Sequence, residues 1–199
     1  MRANPNSTDP GKAPNKHMLG EEIIWVFLLG DMSVFSLFFC AYLNNRTSTL
    51  ELFQQSQSLL NVNYGVVNTM LLLASSWFVV GAVAAARRNS GKTCSRMLAW
   101  ASLCGAAFSV IKYFEYSEKI AAGLTFGSND FFIFYYVLTG IHFAHLLVGL
   151  SLLCYFCFTT RLQSEFNEAS LLSISSTAIY WHMVDLLWII IFPLLYLLP

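Results

Sequence analysis

Charge is what this chain has least of: Lys, Arg, Asp and Glu make up 11% of its 199 residues, against 56% hydrophobic. A soluble domain covers its surface with about 25% charged residues, so this scarcity, with a mean hydropathy of +0.57, excludes a water-soluble protein. The 11 basic and 11 acidic side chains cancel, which excludes the strongly basic face that nucleic acid requires. Proline is scarce as well, and none of the 5 interrupts the centre of an apolar segment. Nor does a paired glycine, and no repeat relates the two halves of the chain. The 5 cysteines, Cys40, Cys94, Cys104, Cys154 and Cys157, lie in or beside apolar segments rather than in polar loops, which argues against structural disulfides. Cys154-x-x-Cys157 sits inside such a segment without the electropositive setting a reactive thiolate needs, and reads as apolar packing.

What is abundant is long hydrophobic runs. Segments at about 22–43, 64–86, 97–117, 131–160 and 173–198 approach or exceed the ~20 residues needed to cross a ~30 Å hydrocarbon core. Backbone groups left unpaired in lipid are intolerable, so the runs must be helices, and their continuous apolar character does not suit a barrel. The expected fold is all-α, a bundle of five transmembrane helices over residues 21–199. Residues 1–20, rich in Pro, Asn, Lys and Gly with no apolar stretch before Ile23, read as a short flexible tail rather than a cleavable signal. Arg2, Lys12, Lys16, Arg87, Arg88, Lys92, Arg96 and Arg161 fall on one side of the predicted membrane and Arg46 and Lys119 on the other. That asymmetry predicts a cytoplasmic N-terminus and a C-terminus outside.

Lipid gives no hydrophobic drive for helix association, so close backbone approach and interhelical hydrogen bonds must supply it. Gly81 and Ala85 on the second segment, and Ala101, Gly105 and Ser109 on the third, are small residues one turn apart on a single face. Asn68 and Ser75 form a polar stripe that reads as glue between helices. Lys112, Glu115, Glu118 and Lys119 have spacings that permit ion pairs near the outer end of the third segment. They read as an interfacial charge cluster, with long side chains reaching toward the headgroups. Tyr42, Trp100, Tyr113, Tyr116 and Tyr196 lie at or near helix ends, where an aromatic belt is expected.

The most costly groups lie elsewhere. At 1.5 Å per residue, Asp31 and His182 sit ~14 Å inside their segments, Asp185 about a turn deeper, and His142 and His145 ~17–21 Å from the opposite side. These ionisable side chains share one mid-membrane slab, and the penalty for facing acyl chains predicts that they turn inward, toward one another or a partner subunit. Thr139, His142, His145 and Gly149 lie on one face of the fourth segment, and His182 and Asp185 on one face of the fifth. Imidazoles one turn apart with a carboxylate can hold zinc, copper or iron. The plainer reading is that carboxylates orient imidazoles and hydroxyls on neighbouring helices and close the hydrogen bonds a dry interior demands. With His17 in the tail, only three of the 4 histidines are embedded, too few for the haem and copper ligation of an oxidase centre or a di-haem cytochrome.

Two blocks carry a resemblance. Thr139-Gly140-Ile141-His142-Phe143-Ala144-His145, followed by Gly149, and Trp181-His182-Met183-Val184-Asp185-Leu186-Leu187-Trp188 resemble the Thr-Gly-x-His-x-x-His and Trp-His-x-Val-Asp-x-x-Trp patterns of subunit III of the haem-copper oxidases, in its short five-helix form. Leu28 to Phe35 is similar to the family segment whose intramembrane carboxylate reacts with carbodiimides, with Asp31 where Glu is usual and Gly30 where Ser is commoner. Asn68-Thr69, Ser75-Ser76 and Lys112 to Tyr116 also fit, and the resemblance covers about residues 20–199. It implies a non-catalytic subunit of a respiratory terminal oxidase in the bacterial cytoplasmic (inner) membrane. Haem and copper would lie in the catalytic subunit I, with subunit II as a further partner. No cofactor, catalytic residue or metal ligand would belong to this chain. The family's helices splay into a V whose cleft binds phospholipid, and the subunit is thought to support proton uptake and to protect the catalytic centre. This chain lacks the first two helices of the long form.

Three other readings are open. The family variant associated with nitric oxide reductase in denitrification would suit the short length and the Gly30-Asp31 pair. A small transporter or proton channel would also place carboxylates and imidazoles at mid-depth, although it lacks the helix interruptions such proteins use. An independent di-metal membrane enzyme would carry its own ions.

Overall fold

The computed structural model describes residues 16–163 and 165–198, with side chains from residue 24 onward. They form α1 (Lys16–Ser48), α2 (Leu50–Ser58), α3 (Val62–Arg87), α4 (Gly91–Ala121), α5 (Asp130–Thr160), α6 (Glu168–Phe192) and a closing π-helical turn, Pro193–Leu197. There is no strand among them. Five of these helices are long and apolar enough to cross a membrane, so the chain is a multi-pass membrane protein of the expected all-α class. α1 starts at Lys16, earlier than its apolar run; residues 1–15 of the predicted tail lie outside the described residues. The turn between the first two spans is not all loop. It holds α2, whose buried Phe53 meets Tyr42 and Phe131 edge-on at 5.4 and 5.6 Å, closing that end of the bundle.

Asparagine starts three of the helices. The side chains of Asn61, Asn129 and Asn167 accept from the backbone N–H of Asn63, Phe132 and Ser170, satisfying donors that the first helical turn leaves open. Two left-handed residues end helices. Asn89 at φ 54° follows α3 and Gly123 at φ 77° follows α4. The next backbone N–H, of Ser90 and of Leu124, turns back to the carbonyls of Ala85 and Lys119 at 3.0 Å. These reversals turn α3 back along α4 and α4 back along α5.

The helices are not equally embraced. In α6, 61% of the most apolar window is buried, against 11% in α1. α6 is therefore the axis of the bundle, and Trp181 and Trp188 are its largest inward side chains. Trp181 sets the closest approach. Its indole lies against Gly105 of α4 and Gly149 of α5, where an added Cβ would come within 2.9 and 2.8 Å of ring carbons. Gly105 thus lets α4 close onto α6, a more specific role than the helix-pairing stripe predicted for it. The second and third spans do meet as expected: Ala82, Ala85 and Ala101 are buried, and Ser75 Oγ donates to the Ala101 carbonyl at 3.0 Å. α1 touches α5 and α6 from outside through Leu28, Phe35 and Tyr42, which recur every seven residues and are its only buried side chains among the described ones. A repeat of seven keeps one narrow seam against a neighbouring helix. Trp25, Val26, Leu29, Val34 and Leu37 on the other faces are exposed.

Candidate functional site

Asp31 lies one turn along the seam from Leu28 and one turn before Phe35, so the docking register of α1 carries it to α5. There its Oδ2 is 3.3 Å from His145 Nε2, and each side chain keeps 20% of its surface accessible. His145 Nδ1 is 2.8 Å from the carbonyl of Ile141 one turn back. A carbonyl only accepts, so Nδ1 carries the hydrogen, and a neutral imidazole then offers a bare Nε2 to Asp31. Two acceptors do not approach to 3.3 Å favourably. A proton on the carboxyl oxygen or on Nε2 would relieve the contact, which falls within ion-pair distance while Asp31 Oδ2 makes no hydrogen bond. Phe35 closes the pair from below with its ring centroid 5.7 Å from the imidazole, and Tyr180 of α6 donates to the His145 carbonyl at 3.1 Å.

His142, one turn before His145, points the other way. It is fully buried, its Nε2 donates to the carbonyl of Val184 at 3.2 Å, and its ring lies 5.2 Å from that of Trp188 and 5.8 Å from Phe108. Trp188 in turn donates its indole N–H to Thr69 Oγ1 on α3 at 3.0 Å. One turn before Trp188, Asp185 is 4% exposed, with neither carboxyl oxygen in a hydrogen bond. His182, a further turn back, is 2.6 Å from Ser76 of α3 through Nδ1 and 4.0 Å from Asp185. Asn68, next to Thr69, is fully buried with both amide atoms unpartnered. Thr139 donates to the Tyr135 carbonyl at 2.6 Å, so the 2.6 Å contact to Tyr116 of α4 has the tyrosine as donor.

The predicted slab is therefore several separate interhelical contacts. Asp31 meets His145, and His182 meets Ser76 beside Asp185. His142 meets a backbone carbonyl, and Thr139 meets a tyrosine. The sequence spacing put Thr139, His142 and His145 on one broad face, but three and six residues of helix leave His145 turned toward α1 while the other two face the interior. Among the described residues no three His, Cys, Asp or Glu side chains come together as a metal-holding group. All five cysteines are free thiols. Cys157 packs on α4, its carbonyl accepting from Ser95 Oγ at 2.8 Å.

The reading of Lys112 and Glu115 as an interfacial cluster is corrected by their burial. Lys112 is 1% exposed and Glu115 not at all. Lys112 Nζ donates to Glu115 Oε2 at 3.0 Å and to the Tyr196 and Tyr135 hydroxyls at 3.0 and 3.3 Å. Both hydroxyls donate to the other carboxylate oxygen, at 2.5 and 2.9 Å. The ammonium also lies within 5.3 Å of the centroids of Tyr116, Tyr135 and Trp188, so ring faces and hydroxyls replace the water that a headgroup position would have provided. Tyr196 and Tyr42 accordingly leave the predicted aromatic belt for the interior, Tyr42 donating to the Leu194 carbonyl at 3.1 Å. Tyr113 and Trp100 do face outward. Lys119 is buried too and donates to the Leu59 carbonyl at 2.6 Å, whereas Glu118 is exposed. Tyr135, the fourth member of the cluster, was not singled out from sequence; nothing local distinguishes it, since its partners are 20 or more residues away.

The arrangement is thus a closed helical core with the Asp31–His145 pair on its flank. The family model for cytochrome c oxidase subunit III matches residues 16–198. The cytochrome c oxidase subunit 3 of Synechocystis sp. is 30% identical over 97% of this chain and 83% of its own length. The quinol oxidase subunit 3 of Bacillus spizizenii is 30% identical over 87% of this chain and 84% of its own. A heme-copper oxidase subunit I+III of Aeropyrum pernix is 26% identical over 87% of this chain, which spans 22% of that longer protein. With nearly the whole described chain inside the family match and both histidine blocks within it, the chain belongs to the cytochrome c oxidase subunit III family.

Proposed function

We propose that the chain is a non-catalytic subunit of a haem-copper terminal oxidase, held in the cytoplasmic membrane of a bacterium against a catalytic subunit I that carries the haem and copper, with subunit II as a further partner. The observation that carries this reading, beyond the family match, is the placement of Asp31. A carboxyl–imidazole pair lies at the expected mid-membrane depth on the least buried of the five spans, so the costly group is at the edge of the subunit. Such a group is useful only where a neighbour or a lipid completes its surroundings. The relative named as subunit I+III, in which a segment like this one is part of a longer chain, supports the pairing with subunit I.

In this reading the pair supports proton uptake by the partner. The shared proton can rest on Asp31 or His145 without leaving the pair, which makes it a reservoir beside the catalytic subunit. The bare faces of α1 give stability to the assembly by covering it. A recess of about 300 Å³ between α1, α5 and α6, lined by Ile24, Phe27, Leu152, Ser176, Thr177 and Tyr180, suits an acyl chain of a structural phospholipid. The basic side chains of the α3–α4 and α5–α6 junctions would lie in the cytoplasm, with the N-terminus on that side.

The test is purification in mild detergent with an optical spectrum. The chain should come away with a larger membrane subunit, and haem absorbance should follow that subunit alone. Haem retained by the isolated polypeptide, or purification without any such partner together with solute flux in liposomes, would overturn the proposal.

A further inference from the structure

The crossing of α4 and α5 brings together two thiols that lie far apart in sequence. Gly91 packs so tightly on the end of α5 that a Cβ would lie less than 3.0 Å from the carbonyl oxygens of Thr160 and Gln163. The two backbones touch there. One turn further along α4, the Ser95 hydroxyl donates to the Cys157 carbonyl at 2.8 Å, and the Cys157 thiol donates to the Ser95 carbonyl at 3.4 Å. Antiparallel helices in this register set Cys94, which is 0% exposed, against the turn of α5 that carries Cys157 and Thr160. A disulfide needs Cα atoms about 4.4–6.8 Å apart and Cβ atoms about 3.5–4.5 Å apart, a spacing that facing residues reach where helices cross in backbone contact. Cys154 is a poorer partner for Cys157, because residues three apart on one helix hold their Cβ atoms about 5–6 Å apart.

The two sulfurs are not equivalent. Cys94 is sealed between the helices, whereas Cys157 is half-buried and lines a recess that Lys92, Arg96 and Arg161 also line. Reactive cysteines sit in partly exposed, electropositive surroundings. The fold supplies for Cys157 the setting that its neighbours in sequence do not.

We propose that Cys157 is an oxidation site for a hydroperoxide and that Cys94 resolves it, giving a reversible disulfide that clamps α4 to α5. The Cys157 sulfur attacks a peroxide oxygen; the S–O bond forms, the O–O bond breaks, and the leaving hydroxide takes the thiol proton as water. Cys94 then attacks the Cys157 sulfur, the S–S bond forms, and the sulfenic oxygen leaves as a second water with the Cys94 proton. Two thiols have lost two electrons and two protons, and one peroxide has become two waters. In a reducing compartment such a link is transient and reports oxidant. The device depends on the α4–α5 crossing and not on the chain's role in an oxidase.

The test is peptide mapping of the full-length chain, with whatever partners it retains, after exposure to hydrogen peroxide in mild detergent, alkylation of the remaining thiols and digestion without reductant. The parent should yield a cross-linked pair of peptides carrying Cys94 and Cys157, two hydrogens lighter than the two thiols, and a dithiol should abolish it. Cys94→Ser should leave Cys157 as a sulfenic acid, trapped by a cyclic diketone several-fold more than in the parent. Cys157→Ser should leave Cys94 reduced, because its thiol is closed off from solution. Unfolding temperatures close to the parent's show that the variants have folded, and the cross-link in the parent decides the pairing without them. A link between Cys154 and Cys157, sulfenic acid accumulating at Cys157 in the parent, or loss of all five thiols at one rate would overturn the proposal. So would a Cys157 that survives peroxide as a free thiol.

Discussion

Two ionisable pairs in this chain are built in opposite ways. Lys112 and Glu115 lie inside the bundle, saturated by two tyrosine hydroxyls and ringed by aromatic faces. Asp31 and His145 meet on its flank, each one-fifth accessible, with a single 3.3 Å contact between them and no hydrogen bond to Asp31 Oδ2. The first pair is satisfied from within the chain and ties α4, α5 and the C-terminal turn together. The second is left for something outside the chain to complete. In the proposed function the working pair is therefore the one with incomplete surroundings and not the more buried one.

The contrast is broken most severely at Glu115. Glu115→Ala leaves the Lys112 ammonium buried with two hydroxyls that have lost their acceptor, and such an unpaired internal charge costs about 3–5 kcal/mol. Thermal unfolding in detergent should show a large loss, and the yield of folded protein should fall. Lys112→Met/Glu115→Gln, which removes both charges and keeps most of the volume, should recover most of that loss. A single variant as stable as the parent would mean that the pair is solvated after all.

Next in size is the packing around Trp181. Gly149→Val inserts carbon where the indole already lies within contact distance, and overpacking of this kind costs about 1–3 kcal/mol. The same assay measures it. Gly140→Val, one face away, meets nothing within 4 Å and should fall near the parent.

How much of this was legible in the sequence follows from where the partners are. Five spans could be read directly, because each carries its apolar signal locally. The positions of Asp31, His142, His145, His182 and Asp185 along their helices could be read as well, because rise per residue is fixed. Their partners could not. His145 and Asp31 lie on helices far apart in sequence, and the register of α1 is set by Leu28, Phe35 and Tyr42, whose seven-residue spacing was present but not used. Lys112 was misread for the same reason: Tyr196 is 84 residues away, and an i, i+3 ion pair looks alike on a wet rim and in a core. The weak cue was the company it keeps, an apolar run in which Tyr116 follows at i+4 and no polar residue follows Ser109 before it. α2 escaped because its polar face hid Phe53.

The smallest stability effects, and the most informative chemistry, are expected at the flank pair. Asp31→Asn and His145→Gln each remove a partly exposed contact, so unfolding should shift by about 1 kcal/mol or less, well below the Glu115 variant. Reactivity should separate them from the core instead. A hydrophobic carbodiimide needs a protonated carboxyl within reach of lipid, and Asp31 meets both conditions when the shared proton rests on it. Asp31 should be labelled in the parent chain, while buried Glu115 should not. His145→Leu takes away the competing base and leaves the carboxyl as the only holder of the proton, so labelling of Asp31 should rise, by up to about two-fold if the proton was divided evenly. Labelling of Glu115 in preference to Asp31, or a His145→Leu chain labelled less than its parent, would reverse the assignment of which pair is open to the membrane.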